Sequence, residues 1–211
     1  RQRRSMAWFA SIGQDQIATT PLQIANAIAT IARSGIWLRP TLIPTTDPQP
    51  PIPEKDPRGR RADLRLTAPA LDAAVEGMIR VVNSPAGTGT SVKRGDVLIA
   101  GKTGSAQASP LTVADRDPSG NLIRNDRGGI QRTRVPAGTS LQSNPDIPWY
   151  RYTGKNEDEL THAWYVGFFP AHEPKIAFAV FVEYGGSGGN AAGSVANAIV
   201  DACIEQGYVR P

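Results

Sequence analysis

Cysteine and histidine are scarce: the 211 residues hold one of the first and two of the second. Cys203 alone excludes an internal disulfide and has no companions to form a thiolate metal site. His162 and His172 are too few for a histidine-based centre, so only carboxylate ligands remain open for a cation, and no cofactor is expected. No run approaches the roughly 18 apolar residues of a membrane-spanning helix, and there is no secretory leader. The chain opens Arg-Gln-Arg-Arg without a methionine. It therefore reads as cut from a longer protein, with any anchor or export signal upstream.

A nucleic-acid signature is also missing, despite a net charge of +4. Residues 1–66 carry ten Lys/Arg against five Asp/Glu, and residues 67–211 carry thirteen against fourteen. The excess sits at Arg1, Arg3 and Arg4 and at Arg58, Arg60 and Arg61. No aromatic residues interleave with the second group and no binding motif accompanies either, so a solvated surface is expected.

What is present suits a single globular domain, with 40% hydrophobic and 20% charged residues. Thr20, Pro21 and Gln23 form a Thr-x-x-Gln capping box with proline at the first helical position. Ile24, Ala25, Ile28, Ile31 and Ala32 then follow helical spacing, and Gly35 supplies the stop, predicting a helix over 21–34. Seven prolines in residues 40–61 impose extended or loop structure. A second helix follows Thr67, with Leu71, Val75, Met78, Ile79 and Val82 on one face, and ends at Pro85, Gly87 and Gly89. Residues 97–100 read as a strand leading into Gly101-Lys102-Thr103-Gly104-Ser105.

The stretch from Gln107 to Thr161 is rich in Gly, Pro, Asn, Asp and Arg and lacks sustained periodicity. It is expected to be one long irregular loop with room for a short hairpin. Beyond it, 163–169 and 176–184 read as strands joined by a tight connector at 170–175, the second strand buried on both faces. A glycine loop at 185–189 needs its flexibility to turn. It leads into a helix with two apolar stripes, Ala191, Val195, Ile199, Cys203 and Ala192, Ala196, Val200, Ile204. The expected architecture is α+β, an antiparallel sheet flanked by helices.

Two chemistries compete for Gly101-Lys102-Thr103. A phosphate-binding loop requires a glycine five residues before Gly101, where Asp96 stands, and a helix after the threonine, for which 106–110 offers no start. The alternative is a Lys-Thr-Gly strand of a serine acyltransferase. Around it, in order, stand Ser11-Ile12-Gly13-Gln14, Thr20-Pro21-Leu22-Gln23-Ile24-Ala25 and Gly87-Thr88-Gly89-Thr90. Residues 100–107, 162–171 and Pro174-Lys175-Ile176-Ala177 follow, and the glycine loop and last helix close the chain. As a set these segments resemble the C-terminal half of class B penicillin-binding protein transpeptidases, over most of the chain except 44–65 and 108–160.

The resemblance implies an extracytoplasmic bacterial enzyme of peptidoglycan synthesis. Its substrate is a stem peptide ending in D-Ala-D-Ala, and β-lactams compete for the site. Lys102 would set a cation beside the substrate carboxylate and help hold the serine of the family's Ser-x-Asn motif. Thr103 would offer its hydroxyl to the same carboxylate, and Gly104 would leave room for the ligand backbone. Ser105 would supply a backbone N–H to the oxyanion hole, a donor of the kind worth about 3 kcal/mol. Lys102 and Ser105 are thus the catalytic candidates, and residues 102–105 together the substrate-binding ones.

The nucleophile itself is missing. The family supplies it as Ser-x-x-Lys, which occurs nowhere here. Ser119-Gly120-Asn121 matches Ser-x-Asn but falls after the Lys-Thr-Gly strand, against the family order, and reads as chance. Residues 1–211 are therefore expected to be a partial domain, inactive alone, whose partner is the upstream half of the same protein. A non-catalytic scaffold that lost its serine, a β-lactam sensor and a β-lactamase are the other readings. His162 is expected to be structural, Cys203 core, and Trp149, Tyr150 and Tyr152 surface packing of the long loop.

Overall fold

In the computed structural model, residues 18–42, 52–108, 112–134 and 161–210 are described. The basic residues Arg1, Arg3 and Arg4, the 11–14 segment and the aromatic group Trp149, Tyr150 and Tyr152 lie outside them. Helix α1 spans Pro21–Ala32, and its capping box is formed: Gln23 N–H donates to the Thr20 hydroxyl at 3.2 Å while the Gln23 side chain accepts from Thr20 N–H at 2.8 Å. It ends through Ser34 and Gly35, both at positive φ, with Gly35 N–H returning to the Thr30 carbonyl. The proline-rich segment is bracketed by a short pair, β1 (Ile36–Leu38) with β2 (Arg61–Asp63), which the proline content had hidden. Inside it, Asp56 accepts from Arg60 N–H and guanidinium, and this pairing holds its carboxyl at about 2.

Helix α2 (Ala68–Asn83) buries Met78 and Val82, with Val75 and Ile79 half-buried beside them. The central sheet has the order β3-β6-β7, with strands Ala100–Gln107, Thr161–Phe169 and Ile176–Val182, all antiparallel. The strand begins at Ala100 rather than at 97. The Leu98 carbonyl accepts from Ala171 N–H and the Ile99 carbonyl from the Asn83 amide, so these residues lie outside the ladder. Strand β7 buries Phe178 and Val180, whereas Phe181 is exposed, so one face is closed and the other partly covered.

Helices lie on both faces of this sheet. On one, α1 packs against β6 and β7 and α2 against β3, around Ile28, Met78, Ala100 and Phe168. On the other, helix α3 (Gly193–Glu205) sets Ala196 and Val200 against Tyr165, Phe169 and Phe178. Of its two expected stripes, that of Ala192, Ala196 and Val200 is the buried one. Val195 is 45% exposed, because neighbouring stripes lie about 100° apart around the helix and a single layer covers only one fully. Cys203 is half-buried against the same cluster, and burial pushes its thiol up.

Between β3 and β6, residues 112–134 are ordered rather than irregular. Strand β4 (Thr112–Ala114) pairs with β5 (Arg132–Arg134), and bridges at Arg116–Leu122 and Arg124–Ile130 extend the ribbon. Two side chains make its turns. Asp117 accepts from the N–H groups of Ser119 and Asn121, and Asn125 does the same for Arg127 and Gly129. Ser119-Gly120-Asn121 is therefore the tip of a turn.

Candidate functional site

Strand β3 occupies one end of the sheet order. It is fully paired with β6, from Ala100–Phe168 to Gln107–Thr161, and among the described residues no strand pairs with its other edge. Lys102 opposes Val166 and Thr103 opposes Tyr165, so strand alternation places these side chains on opposite faces. What brings residues 102–105 together is the open edge. Lys102 is exposed, and its ammonium donates to the Thr103 carbonyl at 2.7 Å. Among the described residues no carboxylate lies within ion-pair distance of it, unlike Lys175, which pairs with Glu173 at 3.5 Å.

Thr103 Oγ1 lies 2.7 Å from Thr88 Oγ1, and the Ser105 hydroxyl donates to the Gly186 carbonyl at 3.3 Å. A Cβ added to Gly104 would meet only the Trp164 Cβ, at 3.4 Å, which is ordinary contact. The chain's own packing therefore does not demand glycine there. Beneath the strand, buried Tyr165 donates its hydroxyl to the Gly89 carbonyl at 2.7 Å, and burial pushes its phenol well up.

The glycine loop behaves differently from expectation. Only Gly186 uses positive φ, whereas Gly188 and Gly189 are required for close approach. A Cβ at Gly188 would lie 2.5 Å from the carbonyl oxygens of both Gly104 and Trp164, so the turn at Gly188–Ala192 presses directly on β3 and β6. The contact between Thr88 and β3 is not evident from the sequence, where Thr88 of Gly87-Thr88-Gly89-Thr90 stands 15 residues before Thr103. The signal was the flanking glycines. His162 accepts from Tyr184 N–H at Nδ1 and packs between Phe181 and Tyr184, a structural role.

A groove of about 530 Å³ lies elsewhere, between α1, α2 and the 168–174 turn. Leu71, Val75, Ile79 and Phe168 line it, and none of residues 102–105 does. This groove is therefore separate from the chemistry of the β3 edge. The polar residues of the β3 edge, and not the groove, form the candidate site.

A family model described as the penicillin-binding protein transpeptidase domain matches residues 4–117 and 148–205. Peptidoglycan D,D-transpeptidase PbpA of Mycolicibacterium smegmatis is 29% identical over 94% of this chain and 32% of its own length. Peptidoglycan D,D-transpeptidase MrdA of Acinetobacter baumannii is 30% identical over 86% of this chain and 22% of its own. The chain thus spans a third or less of these relatives. Among solved structures, Pseudomonas aeruginosa PBP2 in complex with WCK 5153 is similar with a TM-score of 0.61 and 32% identity, over 93% of this chain and 32% of that one. Penicillin-binding protein A from M. tuberculosis, as an imipenem acyl-enzyme complex, is similar with a TM-score of 0.51 and 27% identity, over 93% and 33%.

Proposed function

The chain belongs to the penicillin-binding protein transpeptidase family, and from that premise we propose that it supplies the substrate-bearing edge of a serine D,D-transpeptidase cross-linking peptidoglycan. The observation that carries the reading is Lys102, an exposed cation with no carboxylate partner among the described residues, on the open edge of β3 beside Thr103. A stem peptide ending in D-Ala-D-Ala adds to that edge as a further strand, its main chain bonding to β3. The Lys102 ammonium and the Thr103 hydroxyl meet its terminal carboxylate, which charge-assisted hydrogen bonds favour.

The Ser105 N–H is one of two donors to the oxyanion that forms at the scissile carbonyl. Gly104 gives the ligand backbone room. β-Lactams carry a carboxylate and a strained carbonyl in a similar relation and occupy the same edge. The sequence holds no Ser-x-x-Lys, so the reading draws the nucleophile and its base from residues outside this chain. The working enzyme sits at the periplasmic face of the inner membrane, held by a segment also outside it.

The test is the rate of acylation by a fluorescent penicillin in the protein with its complete transpeptidase domain. Lys102→Ala slows acylation at least about 100-fold, because a charged contact near the reacting centre is lost. Lys175→Ala, in the hairpin turn, leaves the rate nearly unchanged. Equal effects of the two substitutions would remove Lys102 from the site.

A further inference from the structure

We propose that Thr88 is a positioning residue for the β3 edge: its hydroxyl donates to Thr103 Oγ1 and so frees the Thr103 proton for the ligand. The inference rests on the reading of Thr103 as a carboxylate donor. The two hydroxyl oxygens are 2.7 Å apart, and each group has a single proton to give. If Thr103 donated to Thr88, it could only accept from a ligand, and an ionised carboxylate has nothing to donate. A bound carboxylate therefore selects the other direction, with Thr88 donating to Thr103 and Thr103 to the ligand. Each bond in such a chain polarises the next.

The backbone around Thr88 is built to hold that hydroxyl in place. A Cβ at Gly87 would lie 2.1 Å from the Val81 carbonyl oxygen, so α2 fixes the turn from below. Gly89 N–H donates to the same Val81 carbonyl at 3.0 Å, and the Gly89 carbonyl accepts from buried Tyr165. A Cβ at Gly189 would lie 2.4 Å from the Thr88 carbonyl oxygen, so the turn before α3 closes the third side. Val81, Tyr165 and Gly189 belong to three different parts of the fold, and together they leave Thr88 little freedom. The whole arrangement aims one exposed hydroxyl at the strand that carries Lys102.

The experiment uses the complete transpeptidase domain in five forms: unchanged, Thr88→Val, Thr88→Ser, Thr103→Val, and the double valine variant. Acylation is followed with one β-lactam as the free carboxylate and as its methyl ester. The ratio of the two rates is taken within each variant, so a partly unfolded preparation does not distort it. Thr88→Val is expected to lower the ratio about 10-fold, the scale of one hydrogen bond feeding a charged contact. Thr88→Ser should restore it, and the double variant should match Thr103→Val alone. A normal ratio in Thr88→Val beside a low one in Thr103→Val would overturn the role of Thr88 while sparing that of Thr103. Additive losses in the double variant would show that Thr88 acts otherwise than through Thr103. A normal ratio in Thr103→Val would remove the carboxylate reading itself, and this proposal with it.

Discussion

Removing one oxygen from Tyr165 tests how the turn at 87–89 is held. The phenol is fully buried and satisfies the Gly89 carbonyl. Phenylalanine would keep the ring against Phe178 but leave that carbonyl unpaired in the core. Tyr165→Phe should cost about 1–3 kcal/mol, read as a lower urea midpoint with an unchanged slope. No loss would mean that water reaches the carbonyl. This bond was not legible in the sequence, because a tyrosine in an apolar run does not announce its partner 76 residues away. Lys102 could be proposed from the sequence for the opposite reason: the motif that singles it out is carried by neighbours in the chain. The Thr20 and Gln23 cap was legible likewise, since both of its bonds span three residues.

The turn at Gly188–Ala192 shows where local reasoning stopped. The glycine loop at 185–189 that leads into it suggests a flexible connection, yet Gly188 is held between two strand carbonyls. Gly188→Ala would drive a methyl against the backbone of β3 and β6 together, which no rotamer change relieves. A loss of about 1–3 kcal/mol is expected, with slower acylation in the complete domain, since the displaced strand carries Lys102 and Thr103. A variant with unchanged stability and rate would show that the turn can shift freely. Helices and strands with repeating patterns were readable because their burial repeats along the chain. The β1–β2 pair and the 112–134 ribbon were not. The first is three residues on each side, and the second is turned by Asp117 and Asn125 while its Leu122, Ile123 and Ile130 stay exposed, so burial leaves no repeating pattern there.

The molecule divides into a packed body and a projecting ribbon. Residues 116 and 118–134 of the ribbon are exposed, apart from a half-buried Asp117, whereas the body encloses Tyr165, Phe168 and Phe169. Limited tryptic digestion should therefore cut first at Arg124, Arg127 or Arg134, where local opening exposes little apolar surface. Mass spectrometry of the earliest fragments checks this. First cuts at Arg80 or Arg94 would reverse the assignment, Arg94 being tied to both Asp96 and Asp201. The ribbon also lies inside the connection that separates two adjacent strands. Strands β6 and β7 are joined by six residues, but β3 and β6 stand 53 residues apart in the chain. Bringing distant ends together costs entropy only logarithmically in length, so each doubling of that connection adds only about 0.6 kcal/mol. Insertions between β3 and β6 are therefore nearly neutral to folding. The family match accordingly breaks between residues 117 and 148, within this connection, and resumes before β6. The connection that leaves the candidate strand is thus the part of the chain that can change length without loosening the strand itself.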